Sequence, residues 1–202
     1  MLRSMPALLA GVALLAAPFC AQASDYKDPA GRFTMSVPQG WQSAAPNNSE
    51  SLTIVLAKPK STEAPFDAIC IGIYVDTAET KSKTQAEINS LVDGTLTPQF
   101  WTEALKGSGE DDFKINSTGN RDKNGRKISN VVFTGSSTEN GEKHTAKGKM
   151  EVHFIPGSMH SLLCMTEPET WETASANFEQ IFDSYEPQTA ALIASADTRN
   201  AS

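Results

Sequence analysis

Apolar and polar side chains alternate in FTMSV (33–37), and the run stops at Pro38. This predicts a strand with Phe33, Met35 and Val37 on one face. Gln39-Gly40 then turns the chain, and Trp41 returns it toward a core. SLTIVLAK (51–58) and AICIGIYVD (68–76) predict two further strands. The second is apolar on both faces, with Ile69, Ile71, Ile73 and Val75 on one and Ala68, Cys70, Gly72 and Tyr74 on the other. A strand of that kind must be covered on both sides, so helices are expected above and below a sheet.

Thr84-Gln85-Ala86-Glu87 has the spacing of a capping box, which predicts a helix start. Ile88, Leu91 and Val92 share a helical face, and Phe100, Trp101 and Leu105 resume it after Gly94 and Pro98. The expectation is a helix interrupted near 94–97. Strands follow near 112–119, 126–137, 144–155 and 158–166. Asn140-Gly141 is a favoured pair for a tight hairpin, because such a turn needs positive φ. If it is the turn, Glu139 faces Glu142, Phe133 faces Gly148 and Val131 faces Met150. A last helix is expected from about Pro168 to Ser184, capped within Thr166–Glu169, with Trp171, Ala174, Phe178, Ile181, Phe182 and Tyr185 along one stripe.

The first 23 residues combine Arg3, an apolar stretch from Ala7 to Phe19, and Ala21-Gln22-Ala23. This is the layout of a cleaved secretory signal, with cleavage expected after Ala23 and an apolar segment too short to span a bilayer. The expected organisation is a signal peptide at 1–23, a single domain over 24–187 and a flexible tail over 188–202. The expected location is periplasmic or secreted, with no transmembrane segment left after cleavage. Cys20 leaves with the signal, so Cys70 and Cys164 form a candidate disulfide in an oxidising compartment, the alternative being two buried thiols.

The element order β-β-β-α-β-β-β-β-α, the stretch GRFTMSVPQGW (31–41) and the amphipathic closing helix resemble the PsbP-like family. That family includes the PsbP extrinsic photosystem proteins, the Mog-type Ran-binding proteins and DcrB-like exported proteins. The resemblance spans roughly Tyr26 to Pro187. It implies an α+β architecture, an antiparallel β-sheet flanked by helices in an α/β/α sandwich, and an accessory or binding role. No residue here matches a Ran-binding surface or a manganese-binding photosystem site, so no functional residue is carried over.

Charge is unevenly distributed in a chain of net charge −7. Residues 114–149 hold eight Lys and Arg against three acids, whereas 150–202 hold eight acids and only Arg199. Arg121, Lys123, Arg126, Lys127, Lys143 and Lys147 are the candidates for a basic patch facing a protein or small-ligand partner, the alternative being solvated hairpin loops. An exported acidic chain is not expected to bind nucleic acid.

The sequence contains no Gly-x-Ser-x-Gly, His-Glu-x-x-His, phosphate loop or dinucleotide fingerprint, so no enzymatic activity and no cofactor are expected. One constellation has geometric content. If Pro156-Gly157 is a two-residue turn, Ile155 faces Ser158 and His153 faces His160, opposite in side to Val152 and Phe154. Imidazoles about 5 Å apart across strands are candidate ligands for Cu or Zn, with Glu151 as an oxygen donor. Ordinary sheet histidines are the competing reading. A periplasmic metal-binding protein is therefore the alternative to the accessory role.

Overall fold

The structure is a computed structural model, and it describes residues 24–46, 51–59, 66–106, 112–139 and 142–188. Its strands are Ser24–Lys27 (β1), Phe33–Val37 (β2), Gln42–Ala44 (β3), Leu52–Pro59 (β4), Phe66–Asp76 (β5), Asp112–Lys123 (β6), Arg126–Glu139 (β7), Glu142–Ile155 (β8), Ser158–Thr166 (β9) and Glu186–Pro187 (β10). Its helices are Gln85–Thr95 (α1), Pro98–Lys106 (α2) and Trp171–Ser184 (α3).

Seven strands form one antiparallel sheet in the order β3-β4-β5-β9-β8-β7-β6. The expected hairpin registers hold at every pair. Glu139 faces Glu142, Phe133 faces Gly148 and Val131 faces Met150, while Ile155 faces Ser158 across the Pro156-Gly157 turn. Residues 140 and 141 themselves lie outside the described residues. A second Asn-Gly pair, Asn124 (φ 52) and Gly125 (φ 75), makes the β6–β7 turn, where both central residues need the left-handed region.

The sheet is covered on both faces, as an all-apolar β5 requires. On one face α1 packs on β7 and β8 and α2 on β6, burying Trp101 against Val131, Phe133 and Val152, and Ile88, Val92 and Leu96 beside Phe154. The Thr84 capping box forms, with Thr84 accepting from the Glu87 amide and Glu87 accepting from the Thr84 amide. The expected break separates α1 from α2. Gly148 admits Phe133, which stacks on Phe113 at 4.9 Å between ring centroids.

The other face is covered by α3 and by a second, three-stranded sheet in the order β1-β2-β10. FTMSV belongs to this second sheet and not to the main one. It pairs with β1 and β10 and lies above the main sheet, with Phe33, Met35 and Val37 facing Leu56, Cys70, Leu162 and Cys164 in one core. Pro38 and Gly40 do end β2, since the Trp41 amide donates to Pro38 O and Gly40 sits at φ 79. Trp41 then packs edge-on against Phe178 of α3. The expected α3 cap is corrected: a 3-10 turn at Pro168–Thr170 leads into the helix, and Thr166 bonds Thr170 instead.

Thus β1–β2 from the N-terminal side and α3–β10 from the C-terminal side make one lid over the sheet. Residues 1–23 and 189–202, including most of the expected tail, lie outside the described residues, whereas the Gln188 amide donates to Arg32 O at 2.7 Å. No described helix is long and apolar enough to cross a membrane.

Candidate functional site

The two histidines face each other across β8 and β9 as expected, but not at a surface. His153 is 1% exposed and His160 is 0% exposed, and both lie under the C-terminal end of the lid. Tyr185, the residue after α3, reaches down between them. Its hydroxyl shares a hydrogen bond with His160 Nδ1 at 2.9 Å, and its ring lies 5.2 Å from that of His153 and stacks on Phe33. Ser158 Oγ meets His160 Nε2 at 3.2 Å, and Tyr74 packs edge-on against the same ring.

Glu151 is wholly buried on the same face, and its carboxylate is held by Arg121, whose Nε and Nη2 donate at 3.1 and 2.8 Å. Lys149 Nζ lies 3.3 Å from it on the other side. The nearest imidazole nitrogen, His153 Nε2, is 3.7 Å away. Neither ring nitrogen of His153 has a hydrogen-bond partner among the described residues. The metal expectation fails on this chemistry. Two guanidinium nitrogens and an ammonium already claim the carboxylate, and positive charge crowds the rings. Among the described residues no group of three or more His, Cys, Asp or Glu could hold an ion.

Burial dominates the electrostatics of the rings, because a buried imidazolium loses its hydration. It drives the His153 pKa well below the usual histidine value, and His160, Arg126, Lys123 and Arg121 push the same way. His160 is pushed down to about 4, again by burial first and then by Arg32 and Arg126, with Asp28 opposing. Burial also raises the Tyr185 phenol. Near neutral pH all three rings are uncharged.

The basic island has a different use from the expected patch. Arg121 also binds Asp183 at 2.9 Å and donates to Phe182 O, and Lys123 Nζ donates to the carbonyls of Asp183 and Tyr185 at 2.6 and 2.9 Å. Arg126 pairs with Glu186. Helix α3 has no basic residue in its last turn, so these cations from β6 and β7 satisfy its free carbonyls and its negative end. Lys127 pairs with Asp93 at 2.7 Å, Lys143 with Asp112 at 2.9 Å, and Lys147 lies over the Trp171 ring at 4.5 Å. Arg121, Lys123, Arg126 and Lys149 of the basic middle thus pair with Asp183, Glu186 and Glu179 of the acidic end, whereas Lys127 and Lys143 pair with acids of α1 and β6.

Beside the histidines, in the turn after β1, Asp28 is 1% exposed and accepts three hydrogen bonds from Arg32, two from the side chain and one from the backbone amide. Burial alone would raise this carboxyl, but the Arg32 bonds outweigh it and hold the pKa below the ordinary aspartate value. Arg32 in turn lies over the Tyr74 ring at 5.2 Å. A polar seam therefore crosses the otherwise apolar lid interface. The sequence pattern put Tyr185 on the apolar stripe of the last helix but not beside the histidines, and it gave Asp28 and Arg32 no role; the spacing of Asp28 and Arg32 around Pro29-Ala30-Gly31 is the one local signal that could have pointed to a closed turn.

Cys70 and Cys164 stand directly opposite each other on β5 and β9 and form a disulfide, with their Cα atoms 4.0 Å apart. Both are fully buried beneath α3.

No family model matches the sequence, and no curated protein matches it. Solved structures do. Cyanobacterial PsbP (CyanoP) from Synechocystis sp. PCC 6803 is 15% identical, with 88% of this chain and 99% of that chain covered and a TM-score of 0.55. LpqN, involved in cell envelope biogenesis of Mycobacterium tuberculosis, is 14% identical over 84% of this chain and 93% of its own, with a TM-score of 0.54. The Saccharomyces cerevisiae Ran-binding protein Mog1p is 8% identical over 85% and 98%, with a TM-score of 0.51. Side chains are almost wholly different among these proteins while the path of the backbone is shared along nearly their full lengths, and that shared path gives this chain the PsbP-like fold.

Proposed function

We propose that this chain is an exported, non-enzymatic accessory protein that acts by binding a protein partner. The observation that carries this reading is the state of its reactive groups: Glu151, His153, His160 and Tyr185 are buried under the lid. Groups held in this way stabilise a scaffold, and the fold is one whose solved examples include a Ran-binding protein and a protein involved in cell envelope biogenesis. The Cys70–Cys164 disulfide supports an oxidising compartment. The α1–α2 layer, away from the lid, offers a contact surface, since Leu91 is 45% exposed and Phe100 is 38% exposed.

The test is expression of the full chain in a bacterial host with a photo-crosslinking side chain at position 91 or 100. Export predicts a product that begins at Ser24, is oxidised at Cys70 and Cys164, and is released with the periplasmic fraction. Partner binding predicts one discrete adduct from positions 91 and 100 and none from a control at Glu172, which is exposed on α3 at the lid face. A cytosolic, reduced, uncleaved product would refute export, and the same crosslinks from the control position would refute the surface.

A further inference from the structure

We propose that His153 and His160 form an acid-operated latch on the lid: when the two rings take up protons, the Tyr185–Pro187 end of the lid lifts from the sheet. The proposal is independent of whether the chain binds a partner.

The geometry makes this end of the lid conditional on neutral rings. From α3 and β10 the groups facing the histidines are Asp183, Tyr185 and Glu186. From the sheet they are Arg121 and Lys123 on β6, Arg126 on β7, Lys149 and Glu151 on β8, and Tyr74 on β5. From the turn after β1 and the start of β2 they are Asp28 and Arg32. Every cation in this set already has a carboxylate partner. Glu151 and Asp28, the two wholly buried acids, are spent on Arg121 and Arg32. Two added imidazolium charges would face Arg121, Lys123 and Arg126, and the one carboxylate within reach, Glu151 at 3.7 Å from His153 Nε2, is already shared by Arg121 and Lys149.

Relief comes from moving the lid. The sheet strands are bound to one another by long hydrogen-bonded ladders, whereas β10 is two residues long and contributes only the pairs Glu186–Thr34 and Pro187–Phe33. Opening at this point admits water to both rings, restores their ordinary affinity for protons and leaves the disulfide-bonded half of the core closed. The low proton affinity of both rings in the closed state supplies the driving force, because the open state binds protons more tightly.

The experiment is hydrogen exchange of the purified mature protein in chelator, followed by mass spectrometry at pH 7.0 and pH 4.5 with rates corrected for intrinsic exchange. An open-state histidine pKa near 6.5 and a closed-state value of about 4 for His160 predict a loss of protection on the order of 10²-fold at residues 182–188 and 33–37. Residues 146–154 of the sheet keep theirs. The variant H153F/H160F keeps lid protection at pH 4.5. Unchanged lid protection in the wild type would overturn the latch, as would an equal loss in the sheet or the same loss in the double variant, which would assign the effect to carboxylates. Should the double variant not fold, the imidazole proton resonances of the wild type decide. Rings that titrate at the midpoint of lid opening support the latch, and rings that stay neutral while the lid opens overturn it.

Discussion

At the residue scale, two positions carry more than their size. A Cβ at Gly148 would lie 2.7 Å from Phe133 Cζ and 3.1 Å from Met165 Cγ, so Gly148→Ala should destabilise by about 1–3 kcal/mol through overpacking. A urea midpoint equal to wild type would show that Phe133 yields freely. Arg121 is the main counter-ion of a wholly buried carboxylate. Its loss in Arg121→Met should cost roughly 2 kcal/mol, less than for a fully buried pair because Lys149 remains and Arg121 is 30% exposed. Adding Glu151→Gln should recover part of that loss, and no recovery would mean that Arg121 acts through packing. The facing of His153 and His160 was legible in the sequence because alternation and a two-residue turn fix a register. Their burial was not, because the cover arrives from Phe33 and Tyr185, at opposite ends of the chain.

At the element scale, local signals found what local forces build. The capping box, the Gly94–Pro98 break and the Asn140-Gly141 register are each decided within a few residues, and each is where the pattern put it. The strands β1, β3 and β10 are two to four residues long and exist only through their pairing, so no periodicity announces them. The same limit applies to β2: alternation shows that one face is buried but not which sheet the strand joins. Two elements invite tests. The disulfide closes a separation of 94 residues, so Cys70→Ala/Cys164→Ala should lower unfolding stability by about 4 kcal/mol in the chain-entropy account, measured by urea denaturation. The Arg126–Glu186 pair ties β10 to the sheet, so Arg126→Glu should raise hydrogen exchange at 185–188 and the swap Arg126→Glu/Glu186→Arg should restore it. If the swap exchanges as fast as the single variant, the attraction between the two groups is not what holds β10.

At the scale of the whole molecule, part of the segregated charge is paired within the chain, where Arg121, Lys123, Arg126 and Lys149 meet acids of α3 and β10. A run of like charge in sequence does not say whether its partner is another molecule or another part of the same chain. The buried histidines also set a pH dependence. Their folded pKa values lie below the unfolded value, so below about pH 6.5 the unfolded chain binds protons that the folded one refuses. Stability is therefore full above that pH, falls as pH drops toward about 4, and levels off for His160 below it. Its share of the loss is roughly 3 kcal/mol, to which His153 adds. Urea melts at pH 7 and pH 4.5 should show the fall, and His160→Phe should flatten it.

The lid joins the two ends of the chain. Ser36 donates from its amide to a serine hydroxyl 148 residues away, and β2 has its neighbour β10 only when residues 186 and 187 are present. A chain made from its N-terminus onward must therefore carry Phe33, Met35 and Val37 without that cover until residues 171–187 have been made. Contacts of such long sequence separation close late and slowly. The apolar stripe of β2 is thus a window, open while residues 171–187 are still to come and shut once α3 and β10 have docked on it.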